Sequence, residues 1–504
     1  MFEVAALKQR TSKRQYEKEV AQLRTQLLDV QQQLETAALP VIVLIAGVDA
    51  AGKGDLITTL NEWFDPRYMR THAFGRPTDE ERERPHHWCY WMSLPPRGRI
   101  GIYAIGWYGP PMADRVYDRI DNAKLDAELV HINRLEKELA DDGALIIKCW
   151  LHLSKKQQKK RIHKLEENPE TRWQVSDTDR KHLKLYKKFV GIAERVLRET
   201  STPEAPWLII NGYDPHYRRL TIAKHLIERI SQRLAVRTNG VNVVELTSEA
   251  PLSVPPPTGE APRLQGRLGE EPRTRLEEDR WGRAKKGGDR SFDRPHPSGH
   301  NRASLSVAAP CNLAFLPDCP SWGEGAINAG ASLLSSLDRD RRLDKSAYQG
   351  ELARYQGRVS QLTRSARLKK RSTILVFEGW DAAGKGGVIR RITQAMDARN
   401  YRIIPIAAPT DEEKNHHYLW RFWRHLPRDG SVTIYDRSWY GRVLVERVEN
   451  LATVQEWQRA YTEINDFEEE LTDHGIILLK YWMHISKDEQ LKRFKEREKT
   501  SYKR

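Results

Sequence analysis

The sequence predicts an α/β fold in which one parallel sheet flanked by helices is encoded twice along the chain. The first observation is a repeat: Tyr16 and Tyr348, and Asp49 and Asp381, lie at equal spacing, 332 positions apart (348 − 16). The second is that each copy alternates short apolar runs with helical stretches, as is typical of buried parallel strands covered on both faces. Together they predict two tandem domains of the same architecture.

The elements follow the same order in both copies. A polar helix with apolar spacing comes first, over 16–36 and 348–369. The runs VIVLIA and TILVF follow as a first strand, and each leads into a glycine-rich turn and a helix. The runs ALIIKCWLHL and IILLKYWMHI indicate a later strand. Only the first copy continues into a last strand, WLIING, and a last helix over 217–235.

We therefore predict a first domain over 1–236, a linker over 237–337 and a second domain over 338–504. The linker is rich in Pro, Gly and Arg, and such a composition buries too little apolar area to offset chain entropy, so we expect disorder. Because the second copy reaches Arg504 without a counterpart of the WLIING strand or the last helix, we expect it to be C-terminally incomplete.

The charge of the chain favours acidic partners. The formal net charge is +15 and the pI is about 9.5, which suits nucleic acid, an anionic membrane or a polyanionic substrate. The four cysteines are too far apart for a zinc ribbon, and no RNA-binding signature is present, so we expect no nucleic-acid partner. No apolar run approaches the roughly 18 residues of a membrane span, so we expect a cytoplasmic protein that does not enter membranes.

The loop EGWDAAGKGG, residues 378–387, predicts phosphate binding. It follows a strand, opens a helix and fits the pattern G-x-x-x-x-G-K with Gly379, Gly384 and Lys385. Backbone N–H groups at a helix N-terminus can surround phosphate oxygens, and the lysine adds positive charge. The first copy repeats the loop with Lys53.

One departure from the usual loop predicts where Mg²⁺ binds. The position after the lysine normally holds Ser or Thr, whose hydroxyl ligates the metal, but here it is Gly386. The metal therefore needs oxygen ligands from elsewhere. Asp381 in the loop and Asp436 at the end of the next strand are the available carboxylates, and we predict both as ligands.

Three stretches resemble one family. GWDAAGKGG, DEEKNHHYLWR and YDRSWYGRVLVERV closely resemble the polyphosphate kinase 2 family, and the duplication is similar to its two-domain members. The resemblance covers about 1–236 and 338–504. It implies two P-loop kinase-like domains, each with a helical lid, and Mg²⁺-dependent phosphoryl transfer from inorganic polyphosphate to a nucleotide. It further implies that AMP is preferred and ADP is made.

The resemblance also implies roles for individual residues of the second copy. Asp436 would hold Mg²⁺, and Arg437 would contact a transferring or neighbouring phosphate. Arg421 and Arg442 would be further phosphate contacts, beside the loop residues Gly379, Gly384 and Gly386. The predicted catalytic residues are Asp381, Lys385, Asp436 and Arg437.

The first copy lacks these charges. The places of Asp436, Arg437, Arg442 and Arg421 hold Ala104, Ile105, Pro110 and Trp91, whereas the frame Trp-Tyr-Gly is kept. We therefore predict that the first copy is catalytically degenerate and acts as a structural partner that still binds phosphate. The two domains are expected to form an internal pseudo-dimer or to belong to a homo-oligomer.

Two other functions stay open at this point. An ATP-dependent P-loop kinase is the second enzyme hypothesis, although the missing Ser or Thr after Lys385 argues against it. A non-catalytic polyanion-binding protein is the third, because the second copy is incomplete. For the same reason we expect this chain to have little phosphotransferase activity. The preference among AMP, ADP and GMP, and the favoured direction, are not readable from the sequence.

Overall fold

Two parallel sheets form the structure, a computed structural model that describes residues 2, 9–172, 175–245, 334, 337–338 and 342–499. The first sheet has the order β2-β3-β1-β4-β5 and the second the order β7-β8-β6-β9. The strands are β1 (Val41–Gly47), β2 (Met69–Ala73), β3 (Ile100–Ala104), β4 (Leu145–His152), β5 (Trp207–Asn211), β6 (Thr373–Gly379), β7 (Tyr401–Pro405), β8 (Val432–Asp436) and β9 (Ile477–Met483). All pairings are parallel, which confirms the predicted fold class.

Helices flank both sheets. The first copy contains α1 (Lys13–Thr36), α2 (Lys53–Trp63), α3 (Asp79–Arg82), α4 (Trp88–Ser93), α5 (Gly109–Val116), α6 (Asn122–Asp141), α7 (Lys155–Glu167), α8 (Asp177–Lys184), α9 (Tyr186–Glu199) and α10 (Pro215–Glu245). The second contains α11 (Lys345–Leu368), α12 (Lys385–Thr393), α13 (Asp411–Lys414), α14 (Trp420–Trp423), α15 (Val445–Val448), α16 (Val454–Asp473) and α17 (Lys487–Glu498). None of the helices in these ranges is long and apolar enough to cross a membrane.

The helix boundaries differ from the predicted ones in a way that capping explains. α1 begins at Lys13, three residues earlier than expected, because Ser12 accepts a hydrogen bond from the N–H of Gln15. α11 likewise begins after Asp344, which accepts from two N–H groups of its first turn. The last helix of the first copy continues to Glu245, past the predicted end at 235 and into the predicted linker. Residues 246–333 of that linker lie outside the described residues.

The two sheets differ at one edge. Every residue of β4 is buried, because β1 and β5 pair with its two sides and helices cover its faces. Within the described part of the chain β9 pairs only with β6, and Leu479 and Tyr481 are 43% and 41% exposed.

The described residues of both copies belong to one compact unit, in which the two copies pack against each other. The rings of Trp91 and Trp423 stack with centroids 5.5 Å apart, and both side chains are buried. Around this stack His87 Nδ1 lies 3.1 Å from Glu470 Oε1, and Arg84 Nε donates to the carbonyl of Leu426 at 3.2 Å. These contacts join the copies through an apolar centre with polar surroundings.

Candidate phosphoryl-transfer site

The phosphate loop of the second copy is shaped by two glycines. Gly379 ends β6 with φ +128°, and a Cβ there would lie 2.1 Å from the carbonyl oxygen of Met483. Gly384 has φ +106° and immediately precedes α12, so a left-handed residue opens the helix. The first N–H groups of α12 therefore point out of the helix end, as phosphate binding requires.

Lys385 lies over this loop. It is buried, and its Nζ donates to the carbonyl oxygens of Gly379 at 2.8 Å and Trp380 at 3.2 Å. Gly386 follows in the first turn of α12 with open space where a side chain would be. The helix start thus offers a cation and room, but no hydroxyl.

The end of β8 brings two charged residues to the loop. Asp436 is the last residue of β8 and pairs with Phe377, two residues before Gly379. Its half-buried carboxylate makes no hydrogen bond or ion pair with the residues that the structure describes. Arg437 follows with φ +67°, donates its N–H to the carbonyl of Phe377 at 3.0 Å and donates from Nη2 to Asp381 Oδ1 at 2.7 Å.

These contacts assemble three of the four predicted catalytic residues directly. Lys385 Nζ lies 4.0 Å from the same Asp381 oxygen that Arg437 contacts, and Asp436 adjoins Arg437 in the chain. The side chain of Asp381 is 61% exposed, so its carboxylate is open to solvent as well as in contact with the two cations. The arrangement places two acids and two cations around the phosphate loop and the end of β8.

Among the residues that the structure describes, neither Arg421 nor Arg442 makes a contact with the loop. Arg421 Nη2 lies 3.3 Å from Glu413, and the Arg442 guanidinium lies 4.4 Å from the ring centroid of Tyr418. Arg442 Nε is also 3.2 Å from Glu446. Both arginines are thus engaged with other side chains, and their role as phosphate contacts stays a prediction.

The pairing of Arg421 with Trp91 is wrong. Arg84 lies 4.3 Å over Trp88, as His416 stacks at 4.0 Å on Trp420, which fixes Trp88 and Trp420 as equivalents. The edge-to-face contacts of Tyr90 with Trp107 and of Phe422 with Trp439 continue the same register. The counterpart of Arg421 is therefore Cys89. The adjacent histidines His86–His87 and His416–His417 are 330 positions apart (416 − 86), so an alignment that matches them is shifted by two residues.

The kept Trp-Tyr-Gly frame is explained by a hydrogen-bond network. Glu468 accepts from Trp439 Nε1 at 3.0 Å, Tyr440 OH at 2.8 Å and Lys480 Nζ at 2.6 Å. Burial raises the pKa of Tyr440 to about 12. In the first copy Glu136 accepts in the same way from Trp107, Tyr108 and Lys148.

The network is thus structural and common to both copies, which is why the frame persists where the charges are lost. Sequence reasoning missed it. The available signal was the lysine in the middle of each apolar strand run, since an unpaired buried ammonium is costly.

Two further residues near the loop were missed. Glu378, just before Gly379, accepts from Ser438 N–H at 2.7 Å and from Ser438 Oγ at 2.8 Å. Burial raises the pKa of Glu378, against the opposing effects of Ser438, Lys385 and Arg437. The available signal was that the first copy holds Ala46 and Gly106 at these places.

Helix α17, a basic helix near the end of the described residues, contacts the loop. Gln490 Nε2 donates to the carbonyl of Asp381 at 2.9 Å, and Arg493 Nη1 donates to the carbonyl of Ala382 at 3.0 Å. These bonds join α17 to the loop and place the positive charge of Arg493 beside it.

The loop of the first copy is covered by its own side chains. Lys53 donates to the carbonyls of Gly47 and Val48, as Lys385 does in the second copy. However, Arg218 is 1% exposed and lies over Gly52, where a Cβ would be only 2.5 Å from its Cζ. Its guanidinium pairs with Asp55, which stands where the second copy has Gly387.

Asp49 of the first copy is also engaged. His182 Nδ1 lies 2.6 Å from Asp49 Oδ2, and Lys53 Nζ lies 3.7 Å from Oδ1. Burial tends to raise the pKa of Asp49, but the hydrogen bond from His182 and the charge of Lys53 hold it below its usual value. Asp49, which corresponds to Asp381, is thus paired with His182 of α8.

A second group of possible metal ligands lies between the copies. Ligand atoms of Glu138, His417 and Glu463 are within 4.8 Å of one another. His417 Nδ1 already accepts the N–H of Leu419 at 3.3 Å and lies 3.5 Å from Glu138 Oε1. Arg459 donates to Glu463 at 2.8 Å. We assign this group to the packing of the copies.

Comparisons with known proteins identify the family of the chain. The sequence profile of the polyphosphate kinase 2 (PPK2) family matches residues 10–237 and 342–504. A polyphosphate:AMP phosphotransferase of Pseudomonas aeruginosa is 44% identical over the whole chain and 87% of its own length. That of Pseudomonas syringae is 41% identical over the whole chain and 86% of its own length.

A solved structure extends the comparison to the fold. The crystal structure of a polyphosphate kinase 2 from Pseudomonas aeruginosa superposes with a TM-score of 0.75 at 40% identity, covering all of this chain and 86% of the other.

Proposed function

Because this chain belongs to the polyphosphate kinase 2 family, we propose that it transfers a phosphoryl group from inorganic polyphosphate to AMP and releases ADP. An oxygen of the AMP phosphate forms a bond to the terminal phosphorus of polyphosphate. The bridging P–O bond of that phosphorus breaks, and a polyphosphate one unit shorter leaves. The choice of AMP rests on the relatives named above, which are polyphosphate:AMP phosphotransferases.

One observation carries the proposal: Lys385 and Arg437 converge on Asp381 beside the phosphate loop. Phosphoryl transfer asks the protein mainly for alignment and for positive charge around the transferring group. The loop N–H groups and Lys385 suit the oxygens of the transferring phosphoryl group. The planar guanidinium of Arg437 suits two oxygens of a neighbouring phosphate.

Asp436 and Asp381 are the residues that would hold Mg²⁺. The carboxylate of Asp436 has no partner among the described residues, and Asp381 is exposed at the loop, so oxygen ligands of the type that Mg²⁺ prefers are available. When bound, Mg²⁺ would neutralise phosphate charge and polarise the transferring group. Gly386, without a hydroxyl, leaves this task to the two acids.

The first copy is assigned a structural role. It lacks the strand-end charges, since Ala104 and Ile105 stand there, and Arg218 with Asp55 covers its loop. Its part in the reaction is to support the second copy through the buried Trp91–Trp423 interface. We expect no phosphate binding at Lys53, in contrast to the expectation from the sequence.

The setting that we propose is the cytoplasm, where nucleotides are available and where the unpaired thiols Cys89 and Cys149 stay reduced. Assembly of this pseudo-dimeric unit into a homo-oligomer stays a prediction.

The test is an assay of the 504-residue chain with AMP, polyphosphate and Mg²⁺ in the absence of ATP, with nucleotides separated by chromatography. Excess enzyme in a single-turnover format keeps a slow reaction measurable. ADP that appears only with polyphosphate supports the proposal. ADP that appears only when ATP replaces polyphosphate supports an ATP-dependent kinase, and binding of polyphosphate without any turnover supports a non-catalytic polyanion-binding protein.

A further inference from the structure

The comparison of the two copies singles out a pair of residues beside the turn that carries Asp436 and Arg437. Glu378 at the end of β6 binds Ser438, which follows Asp436 and Arg437, through two hydrogen bonds to one carboxylate oxygen. The first copy has Ala46 and Gly106 at these places, so it can form neither bond. Loss of the Glu–Ser pair therefore coincides with loss of the adjacent Asp–Arg pair.

These bonds extend the pairing of β6 with β8 beyond its last backbone bond. The N–H of Arg437 donates to the carbonyl of Phe377, and this is where backbone bonding between the two strands ends. The N–H of Ser438 donates to the side chain of Glu378 in place of a further carbonyl. Arg437 is thus fixed by a hydrogen bond at its own N–H and another at the residue that follows.

The first copy shows what the chain does without the second bond. Ile105 has φ +70° and donates to Ile45 at 2.9 Å, so the turn itself forms as at Arg437. The next residue then differs, since Gly106 has φ +61° whereas Ser438 is extended with φ −152°. The following 3₁₀ helix begins at Gly106 in the first copy and at Trp439 in the second.

Ser438 also joins the turn to that helix. Its Oγ accepts the N–H of Tyr440 at 3.3 Å while donating to Glu378. The chain after Arg437 is therefore tied to β6 on one side and to the 3₁₀ helix Trp439–Arg442 on the other. A turn that carries Asp436 and Arg437 needs such fixation, because small displacements of groups that align reactants are costly in rate.

We propose that Glu378 and Ser438 are positioning residues that hold Asp436 and Arg437 against the phosphate loop, an inference that rests on the proposed phosphotransferase function. The pair does not touch the reacting atoms. It acts by keeping Asp436 and Arg437 in place when phosphate groups bind beside them.

The test compares Glu378→Ala with Glu378→Gln in the 504-residue chain. Alanine is the residue of the first copy and removes both bonds, whereas the Oε1 of glutamine can still accept them. We expect Glu378→Ala to lower kcat roughly 10- to 100-fold with little change in KM for AMP. Glu378→Gln should stay within about threefold of the unmodified chain, because only the carboxylate charge is lost. Glu351→Ala, which changes an exposed acid on α11, is the control and should leave kcat unchanged.

Three kinetic outcomes decide the matter. Recovery by glutamine but not alanine supports positioning. Unchanged kcat in Glu378→Ala overturns the proposal. Equal damage by glutamine and alanine also overturns it, since the charge rather than the hydrogen bonds would then be required.

Hydrogen exchange gives a readout that does not depend on catalysis. Peptides that contain residues 436–442 should exchange faster in Glu378→Ala than in Glu378→Gln, because only alanine releases the N–H of Ser438. If the unmodified chain makes no ADP, the proposed function fails, but hydrogen exchange still tests whether Glu378 and Ser438 fix the turn. Equal exchange in both variants would refute the fixation.

Discussion

Arg437 donates from Nη2 to Asp381 Oδ1 at 2.7 Å, and Lys385 Nζ lies 4.0 Å from the same oxygen. One acid of the phosphate loop is thus shared by two cations that come from different elements, the end of β8 and the start of α12. Under the proposed function, a phosphate group that enters the loop would compete with Asp381 for both cations. The ion pair with Asp381 therefore keeps the Arg437 guanidinium beside the loop, and a bound phosphate could replace Asp381 as its partner.

Replacement of this arginine should affect turnover more than folding. We expect Arg437→Ala to lower kcat roughly 100- to 1000-fold, the usual cost of removing one preorganised charge donor. The kcat of Arg437→Lys should lie between those of the unmodified chain and Arg437→Ala, because lysine keeps the charge but loses the planar guanidinium. Steady-state or single-turnover rates of ADP formation measure this. A change confined to KM for polyphosphate would limit Arg437 to binding.

The lysines of the two loops form a matched pair for a second prediction. Lys385→Ala should reduce ADP formation roughly 100-fold or more. Lys53→Ala should cost little, because the first copy lacks the strand-end charges and its loop is covered by Arg218. The melting temperatures of both variants serve as the folding control. Equal losses of activity in the two variants would show that the first copy takes part in catalysis.

A third prediction concerns the metal. Asp436→Asn keeps the shape of the side chain but removes an anionic ligand, so we expect kcat to fall roughly 100-fold or more and the Mg²⁺ concentration needed for half-maximal rate to rise. Asp411→Asn, at an exposed acid that pairs with Lys414, is the control. A normal rate and a normal Mg²⁺ dependence in Asp436→Asn would remove this residue from the metal site.

The interface between the copies gives a prediction about stability and pH. Burial beside Glu463 and Glu470, with Asp466 and Asp142 further contributing, raises the pKa of Glu138 well above its usual value. A raised pKa in the folded state means that folding favours the protonated acid, so its stabilisation is complete below the unfolded pKa of about 4.3 and is lost as pH rises through the folded value.

Glu138→Gln, which imitates the protonated acid, should therefore raise Tm by roughly 2–4 °C at neutral pH or above and change it little at about pH 4. Thermal unfolding followed across this pH range measures it. Glu463→Gln should have the opposite effect, because hydrogen bonding and charge from His417 and Arg459 outweigh burial and lower the pKa of Glu463. An unchanged or lower Tm of Glu138→Gln at pH 8 would contradict the raised pKa of Glu138.

The sequence by itself determined the features that depend on neighbours in the chain. The duplication, the phosphate loops and the strand-end position of Asp436 are all written within short segments, and their spacing reports local geometry directly. The loss of Asp436 and Arg437 from the first copy was visible for the same reason.

Only the tertiary structure decided the contacts between distant segments. Glu378 and Ser438 are 60 positions apart, and Arg218 and Asp55 are 163 apart. The order of the strands and the path of α10 bring these pairs together, and no residue pattern encodes them locally. The register that matches Arg421 with Cys89 was likewise set by side-chain packing on Trp88 and Trp420, because two adjacent histidines in each copy gave the sequence a false alignment.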